Sequence, residues 1–289
     1  MTAISVKNLW KAYGDQQVLE RVNLSVREKA FCSIVGASGC GKTTFLRILL
    51  GQETQTRGTI TLGDNPLPID PNVDRGIVFQ RYSVFPHLNA LENVALGLEL
   101  DRSPMFGRLF GGARRAALDE AQLYLAAVGL GHATDKYPAE LSGGMQQRLA
   151  IAQALIKRPK VLLLDEPFGA LDPGIRADMH ELIMQLWDEN NMSVFMVTHD
   201  IEEGFSLGSR MLVFDKVRID PDAPGAFGAT ITYDIQLTKK NKGELKDLQN
   251  LNLKKKECTR CAANTTNAKR ATTSPAQASA AFTTRTSAK

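Results

Sequence analysis

The stretch Phe31-Cys32-Ser33-Ile34-Val35 runs into Gly36-Ala37-Ser38-Gly39-Cys40-Gly41-Lys42-Thr43-Thr44, and this in turn into Phe45–Leu50. The first segment reads as a buried strand and the last as a helix. Between them Gly36, Gly41, Lys42 and Thr43 satisfy G-x-x-x-x-G-K-[ST]. Strand, glycine-rich loop and helix in that order allow few folds, because the loop must then lie at the carboxyl edge of a sheet. The residue types carry the chemistry. Glycines let the amides of residues 36–44 close around phosphate oxygens at a positive helix start. The Lys42 ammonium answers charge at the β and γ positions, and the Thr43 hydroxyl can reach magnesium.

Two more continuous apolar runs, Val161–Leu164 and Val194–Val197, end in polar residues, as strands buried on both faces of an α/β sheet do. The expected class is therefore α/β, a P-loop nucleotide-binding core. Around the first loop the pattern differs. Ile4–Leu9, Val22–Val26 and Thr59–Leu62 alternate apolar with polar residues, which predicts an antiparallel β subdomain. From about residue 86 to 158 the period turns helical, with Leu118, Ala121, Leu125 and Val128 on one stripe and a Gly/Arg-rich connection at 107–115, so a helical subdomain is expected there.

Asp165 and Glu166 close the Val161–Leu164 run, where a doubly wound sheet places its ligands. Asp165 suits a magnesium held through water, and Glu166 suits a general base for an attacking water. Successive residues at a strand end point opposite ways, which separates the two roles; a solvated acidic strand end is the plainer alternative. Leu141-Ser142-Gly143-Gly144-Met145 opens a helix expected over 145–157, with Leu149, Ala152 and Leu155 along one stripe and Pro159 stopping it. Ser142 is a natural N-cap. Capping does not account for Gly143 and Gly144, which cost helix propensity and suit close backbone approach to an anion at a positive helix end.

The formal charge of +4 is unevenly spread. Residues 239–289 hold 12 Lys and Arg against 3 Asp and Glu, leaving 23 against 28 in residues 1–238. The basic excess thus sits in an Ala/Thr/Ser-rich tail that can bury little apolar surface and is expected to be disordered, apart from a short amphipathic stretch at Leu245–Leu253. A nucleic-acid partner is not expected. No apolar run approaches the ~20 residues of a membrane span, and the N-terminus reads straight into a strand, so a cytosolic chain is expected. Cys32 lies beside the phosphate loop and Cys40 within it, where a disulfide would hinder a nucleotide. Cys258 and Cys261 lack the second ligand pair that a zinc site needs. The domains expected are thus 1–238, with its helical subdomain at about 86–158, and the tail 239–289.

The phosphate loop, Leu141–Met145, and Asp165-Glu166 continuing into Pro167-Phe168-Gly169-Ala170-Leu171-Asp172 together resemble the ATP-binding cassette ATPases over residues 1 to about 220. The resemblance implies ATP and Mg2+ as ligands and two cassettes sandwiching two ATP molecules, with Ser142, Gly143 and Gly144 of one meeting the γ-phosphate held by the other. It implies that Tyr13 stacks on adenine, though a buried core aromatic is the plainer reading. By the same resemblance Gln80 senses magnesium and the membrane partner, Asp172 communicates across the dimer, and His199 contacts the γ-phosphate, so that Glu166, His199 and Gln80 form the catalytic set and Thr43, Gln80 and Asp165 the metal set. Phe79-Gln80, Phe85-Pro86 and Leu91-Glu92-Asn93-Val94 resemble bacterial importer subunits of the nitrate/sulfonate/taurine type. Residues 214–235 resemble a branch found with urea- or guanidine-processing enzymes. The implied function is powering uptake of a small polar solute from the inner face of the cell membrane. The implied partners are a second copy or a paralogous cassette, separate permease subunits, and indirectly an extracytoplasmic solute-binding protein. The alternatives are a soluble cassette ATPase of translation or DNA repair, or an exporter subunit; the two cassettes usual in the former and the long coiled-coil insertion of repair ATPases are missing from this sequence.

Overall fold

Alternation along Gln16–Arg27 sends Val22, Leu24 and Val26 inward and Arg21, Asn23 and Ser25 outward, so this strand has one dry face. A computed structural model of the chain describes residues 2–237 apart from 81, 82, 104–106, 170, 219, 221 and 224. The chain divides after residue 238 into two units, and the described residues belong to the first. The tail expected at 239–289, with Leu245–Leu253 and the Cys258/Cys261 pair, lies outside them. Among the described residues no helix is long and apolar enough to cross a membrane.

Two sheets organise the molecule. In the first, β1 (Thr2–Tyr13) pairs antiparallel with β2 (Gln16–Arg27) and with β4 (Arg57–Leu62), which pairs with the short β5 (Asn65–Pro66), giving the order β2-β1-β4-β5. This is the expected antiparallel patch. The second sheet has the order β10-β9-β3-β8-β7-β6. Its strands β3 (Phe31–Gly36), β6 (Arg75–Val78), β7 (Val161–Asp165), β8 (Ser193–Val197) and β9 (Arg210–Asp215) are all parallel, and β10 (Thr230–Gln236) joins the edge antiparallel to β9.

The apolar runs are continuous because each central strand feeds two cores. Leu162, Leu164, Val194 and Met196 face one cluster, which includes Phe168, Met179 and Ile183. Val161, Leu163, Phe195 and Val197 face the other, with Phe45, Leu46 and Leu49 and the dry face of the first sheet. These last three lie on α1 (Lys42–Leu50), the helix that the phosphate loop opens. Phe45 is fully buried with its ring 5.3 Å from that of Phe214.

The helical stretch holds α2 (Ala90–Arg102), α3 (Gly111–Ala127) and α4 (Gly143–Leu155). Asn89 and Glu92 cap α2 reciprocally. Asn93 is buried; its amide accepts from Phe85 N at 2.8 Å and donates to Leu88 O at 2.8 Å, pinning loop 85–89. Ala121, Leu125 and Val128 are buried as the stripe predicts, and Leu118 is half-buried. Helix α3 begins at Gly111, inside the expected 107–115 connection. Arg114 there reaches across to Glu99 at 3.2 Å and Glu92 at 3.3 Å on α2, which draws the first turn into the helix. Helix α4 begins two residues before its expected start. Among the described residues the other α-helices are α5 (Pro173–Asn190) and α6 (Ile201–Leu207), and Pro138–Glu140 forms a single 3-10 turn before α4.

Phe45 joins the phosphate loop's helix to the core, so Phe45→Ala should cost about 3–5 kcal/mol of unfolding free energy, as aromatic truncation in a close-packed interior does. Urea denaturation followed by circular dichroism checks this, and a loss under 1 kcal/mol would contradict the packing described.

Candidate nucleotide site

Four neighbouring parallel strands deliver the candidate residues to one sheet edge. The phosphate loop follows β3, His199 follows β8, Asp165 and Glu166 close β7, and Gln80 lies two residues beyond β6. Ladder bonds continue past the strand ends, with Thr198 N donating to Ile34 O at 3.1 Å and Glu166 N to Val197 O at 3.0 Å. The loop itself needs glycine at Gly36. Its φ is +155°, and a Cβ there would lie 2.2 Å from Phe214 O, a contact that only the absence of a side chain avoids.

Helix α1 starts at an N-cap Gly41 with no side-chain cap and no acidic residue in its first turn. Its leading amides and positive dipole end therefore face the loop. Lys42 is buried, its Nζ donating to Gly36 O at 2.8 Å and Ala37 O at 2.9 Å. The ammonium is held inside the loop by the carbonyls of its own first residues. Cys40 is a free, buried cysteine, and so is Cys32; burial pushes the thiol of Cys32 up to about 12 and raises that of Cys40. Neither forms a disulfide.

Thr43 Oγ1 donates to Asp165 Oδ1 at 3.1 Å, across 122 residues of sequence. Burial raises the Asp165 carboxyl above the usual carboxylate range, the Thr43 hydrogen bond opposes that shift, and the neighbouring Glu166 charge adds to it. A hydroxyl and a carboxylate oxygen, hard donors side by side, fit a small divalent cation that keeps waters and phosphate oxygens as its other ligands. No cluster of three or more His, Cys, Asp or Glu suited to a metal exists among the described residues.

Glu166 sits apart from Asp165 for a reason that strand alternation does not supply. Its φ is +47°, in the left-handed region, so the chain turns out of β7 at this residue. Such a conformation at a non-glycine residue costs energy and occurs at functional sites. The turn brings Glu166 Oε2 to 3.3 Å from Gln80 Nε2, which donates to it, and to 3.3 Å from His199 Nδ1. These three residues form one polar cluster, with Gln80 and His199 exposed and Glu166 half-buried.

Other expected site residues lie elsewhere. Ser142 caps α4, accepting from Met145 N at 3.4 Å. No hydrogen bond or ion pair among the described residues joins residues 141–145 to residues 36–44. Gly144 has a structural role the sequence does not reveal, since a Cβ there would lie 2.6 Å from Ile175 Cγ2 on α5. Asp172 is the exposed N-cap of α5, with no side-chain cap bond. Tyr13 is 45% exposed at the end of β1 rather than in a core. Its hydroxyl donates to Glu53, and the Lys11 ammonium lies 4.5 Å over its ring. Sequence reading missed Glu53, Arg176, His180 and Glu203 around these positions. Only Glu203 left a trace, as an acidic residue in the first turn of a helix capped by Asp200.

A strand–loop–helix phosphate site at the carboxyl edge of a parallel sheet, beside an antiparallel sheet and a helical insertion, defines an ATP-binding cassette fold. The chain belongs to the ABC transporter family, whose pattern it matches over residues 19–169. It is 40% identical over 222 residues to the nitrate import ATP-binding protein NrtD of Synechocystis sp., covering 77% of each chain. It is 39% identical over 243 residues to the bicarbonate transport ATP-binding protein CmpC of Synechococcus elongatus; this covers 82% of the present chain, which spans about a third (34%) of that relative's length. Among solved structures, the cassette MJ0796, in a dimeric post-hydrolysis state bound to ADP and Pi, is 30% identical with a TM-score of 0.66, over 81% of this chain and 99% of that one.

The Gly144 contact gives a test of packing at the start of α4. Gly144→Ala should destabilise the protein by about 1–3 kcal/mol. In an Ile175→Ala background the same substitution should cost at least about 0.5 kcal/mol less, since the clashing methyl is gone. Equal costs in both backgrounds, read by urea unfolding, would show that Ile175 does not set the requirement for glycine.

Proposed function

We propose that this chain binds and hydrolyses ATP as the cassette subunit of an importer, working as a dimer with a second copy or a paralogous cassette. Separate permease subunits at the inner face of the cell membrane would carry a small polar solute, supplied by an extracytoplasmic binding protein. The observation that carries this reading is the convergence of Glu166, His199 and Gln80 beside the Thr43–Asp165 pair, with the phosphate-facing start of α4 apart from them. The names of the relatives, one for nitrate import and one for bicarbonate transport, support uptake and a small oxyanion as solute. The dimeric ADP-bound relative supports a site shared between two cassettes.

Under this reading the loop amides of residues 36–44 and Lys42 hold the β- and γ-phosphates, and Tyr13 offers its free ring face to the base. Thr43 and Asp165 would hold Mg2+, with Gln80, bonded to the adjacent Glu166, as a further candidate ligand; the ion would supply charge neutralisation on the phosphate oxygens. Glu166 accepts the proton of an attacking water. His199, whose side chain is 66% exposed and bonded among the described residues only to Glu166, turns toward the γ-phosphate when the partner closes. Ser142, Gly143 and Gly144 then meet that phosphate from across the dimer, and Asp172 lies at the same contact.

Two variants test the assignment. Glu166→Gln keeps the cradle and removes the base, so ATP binding should persist while turnover falls roughly 10²–10⁴-fold and size-exclusion chromatography with ATP shows a trapped dimer. Turnover at the parental rate would refute the role of Glu166. Ser142→Arg should leave ATP binding by the single subunit intact and abolish that dimer. Loss of binding by the single subunit would place residues 141–145 in the wrong half of the site.

A further inference from the structure

Glu203 is a carboxylate with its side chain 6% exposed, and the catalytic scheme above gives it nothing to do. A buried carboxylate is costly unless both oxygens find donors. Both do: Oε1 lies 2.8 Å from His180 Nε2, and Oε2 accepts a short hydrogen bond from Thr198 Oγ1. The Thr198 hydroxyl in turn accepts from Asp200 N at 3.0 Å. The Asp200 carboxylate accepts from Glu202 N at 2.9 Å and Glu203 N at 3.2 Å. Both neighbours of His199 are thus anchored, while among the described residues its own ring has no hydrogen-bond partner but Glu166.

The anchors lead to one helix face. His180 and Arg176 are four residues apart on α5, hence on the same side; Arg176 touches both loops, and His180 touches the first and reaches the second through Glu203 of α6. His180 bonds Glu203 below the 198–200 loop and meets the ring of Phe168 edge-on at 4.9 Å. Arg176 donates through Nη2 to Leu171 O at 3.2 Å, and its Nη1 lies 3.8 Å from Asp200 Oδ2. Phe168 and Leu171 belong to the segment between Glu166 and Asp172, and α5 begins at the residue after Asp172. The first turns of α5 therefore join the loop that carries Glu166 and Asp172 to the loop that carries His199, through two independent bridges.

We propose that Arg176 and His180 are positioning residues that couple the 166–172 loop to His199, so that a partner pressing on Asp172 moves the histidine through α5. The inference rests on the proposed role of His199, and the test separates the two. A misplacement of about 1 Å at a reacting group can cost up to 10²-fold in rate. His180→Phe keeps the ring against Phe168 and strands the Glu203 carboxylate; it should lower kcat for ATP roughly tenfold with KM unchanged. His180→Gln, which restores a donor to Glu203, should recover most of the loss. In a His199→Ala background His180→Phe should cause no further loss, because its effect passes through a ring no longer present. Arg176→Met in both backgrounds repeats the cycle without touching the buried carboxylate, and so decides the matter if His180→Phe does not fold. Parental kcat in both variants, or equal losses with and without His199, overturns the coupling. A His199→Ala protein as active as the parent overturns the role of His199 itself, whatever the α5 variants do.

Discussion

Parallel hydrogen bonding among β6, β7, β8 and β3 is the interaction on which the site depends. Each strand alone would scatter its terminal residue. In register, with Leu164 opposite both Val78 and Met196, and Val197 opposite Ile34, their carboxyl ends form a single edge. There a loop of amides, an acid pair, a glutamine and a histidine become neighbours. Parallel strands require crossovers, and the helices of these crossovers cover both faces. That is why the strands are apolar on both sides, and why α1 and α5, the helices that follow the phosphate loop and the acid pair, are themselves crossover helices.

The same sheet explains which parts of the protein can be read from its sequence. Apolar runs such as Val161–Leu164 are legible because burial on two faces leaves a local trace, and the phosphate loop is legible because its chemistry fixes residue types at fixed spacing. The stripe Ala121-Leu125-Val128 is legible for the same local reason. Contacts that cross the fold leave none. Gly144 reads as a glycine for an anion, yet its Cβ position is claimed by Ile175 of another helix. Glu166 reads as the next residue of a strand, yet its positive φ takes it off the strand, and only its long-range partners Gln80 and His199 reveal why. The start of α3 at Gly111 depends on Arg114 finding Glu92 and Glu99, a pairing that spacing within 107–115 does not contain.

The energetics of the site follow one theme, polar groups held in place by hydrogen bonds and charges from their neighbours. Lys42 is fixed by Gly36 and Ala37 carbonyls, Asp165 by Thr43, and Tyr13 by Glu53 and Lys11. Preorganisation of this kind lowers the reorganisation needed as charge develops. His199 is the exception. The residues on either side of it, Thr198 and Asp200, are anchored, while its ring remains largely in solvent.

An anchored backbone with a free ring is what a two-position residue requires. A histidine packed into the core could not swing, and one on a loose loop would have no defined second position. Here the 198–200 loop is tied to α5, and α5 starts where Asp172 meets solvent. The phosphate loop and the acid pair are complete within one subunit, whereas α4 presents its amides elsewhere on the same chain. A second cassette would therefore supply both the missing phosphate contacts and the push on Asp172. Under the proposed function, closure would then align His199 as part of the same event.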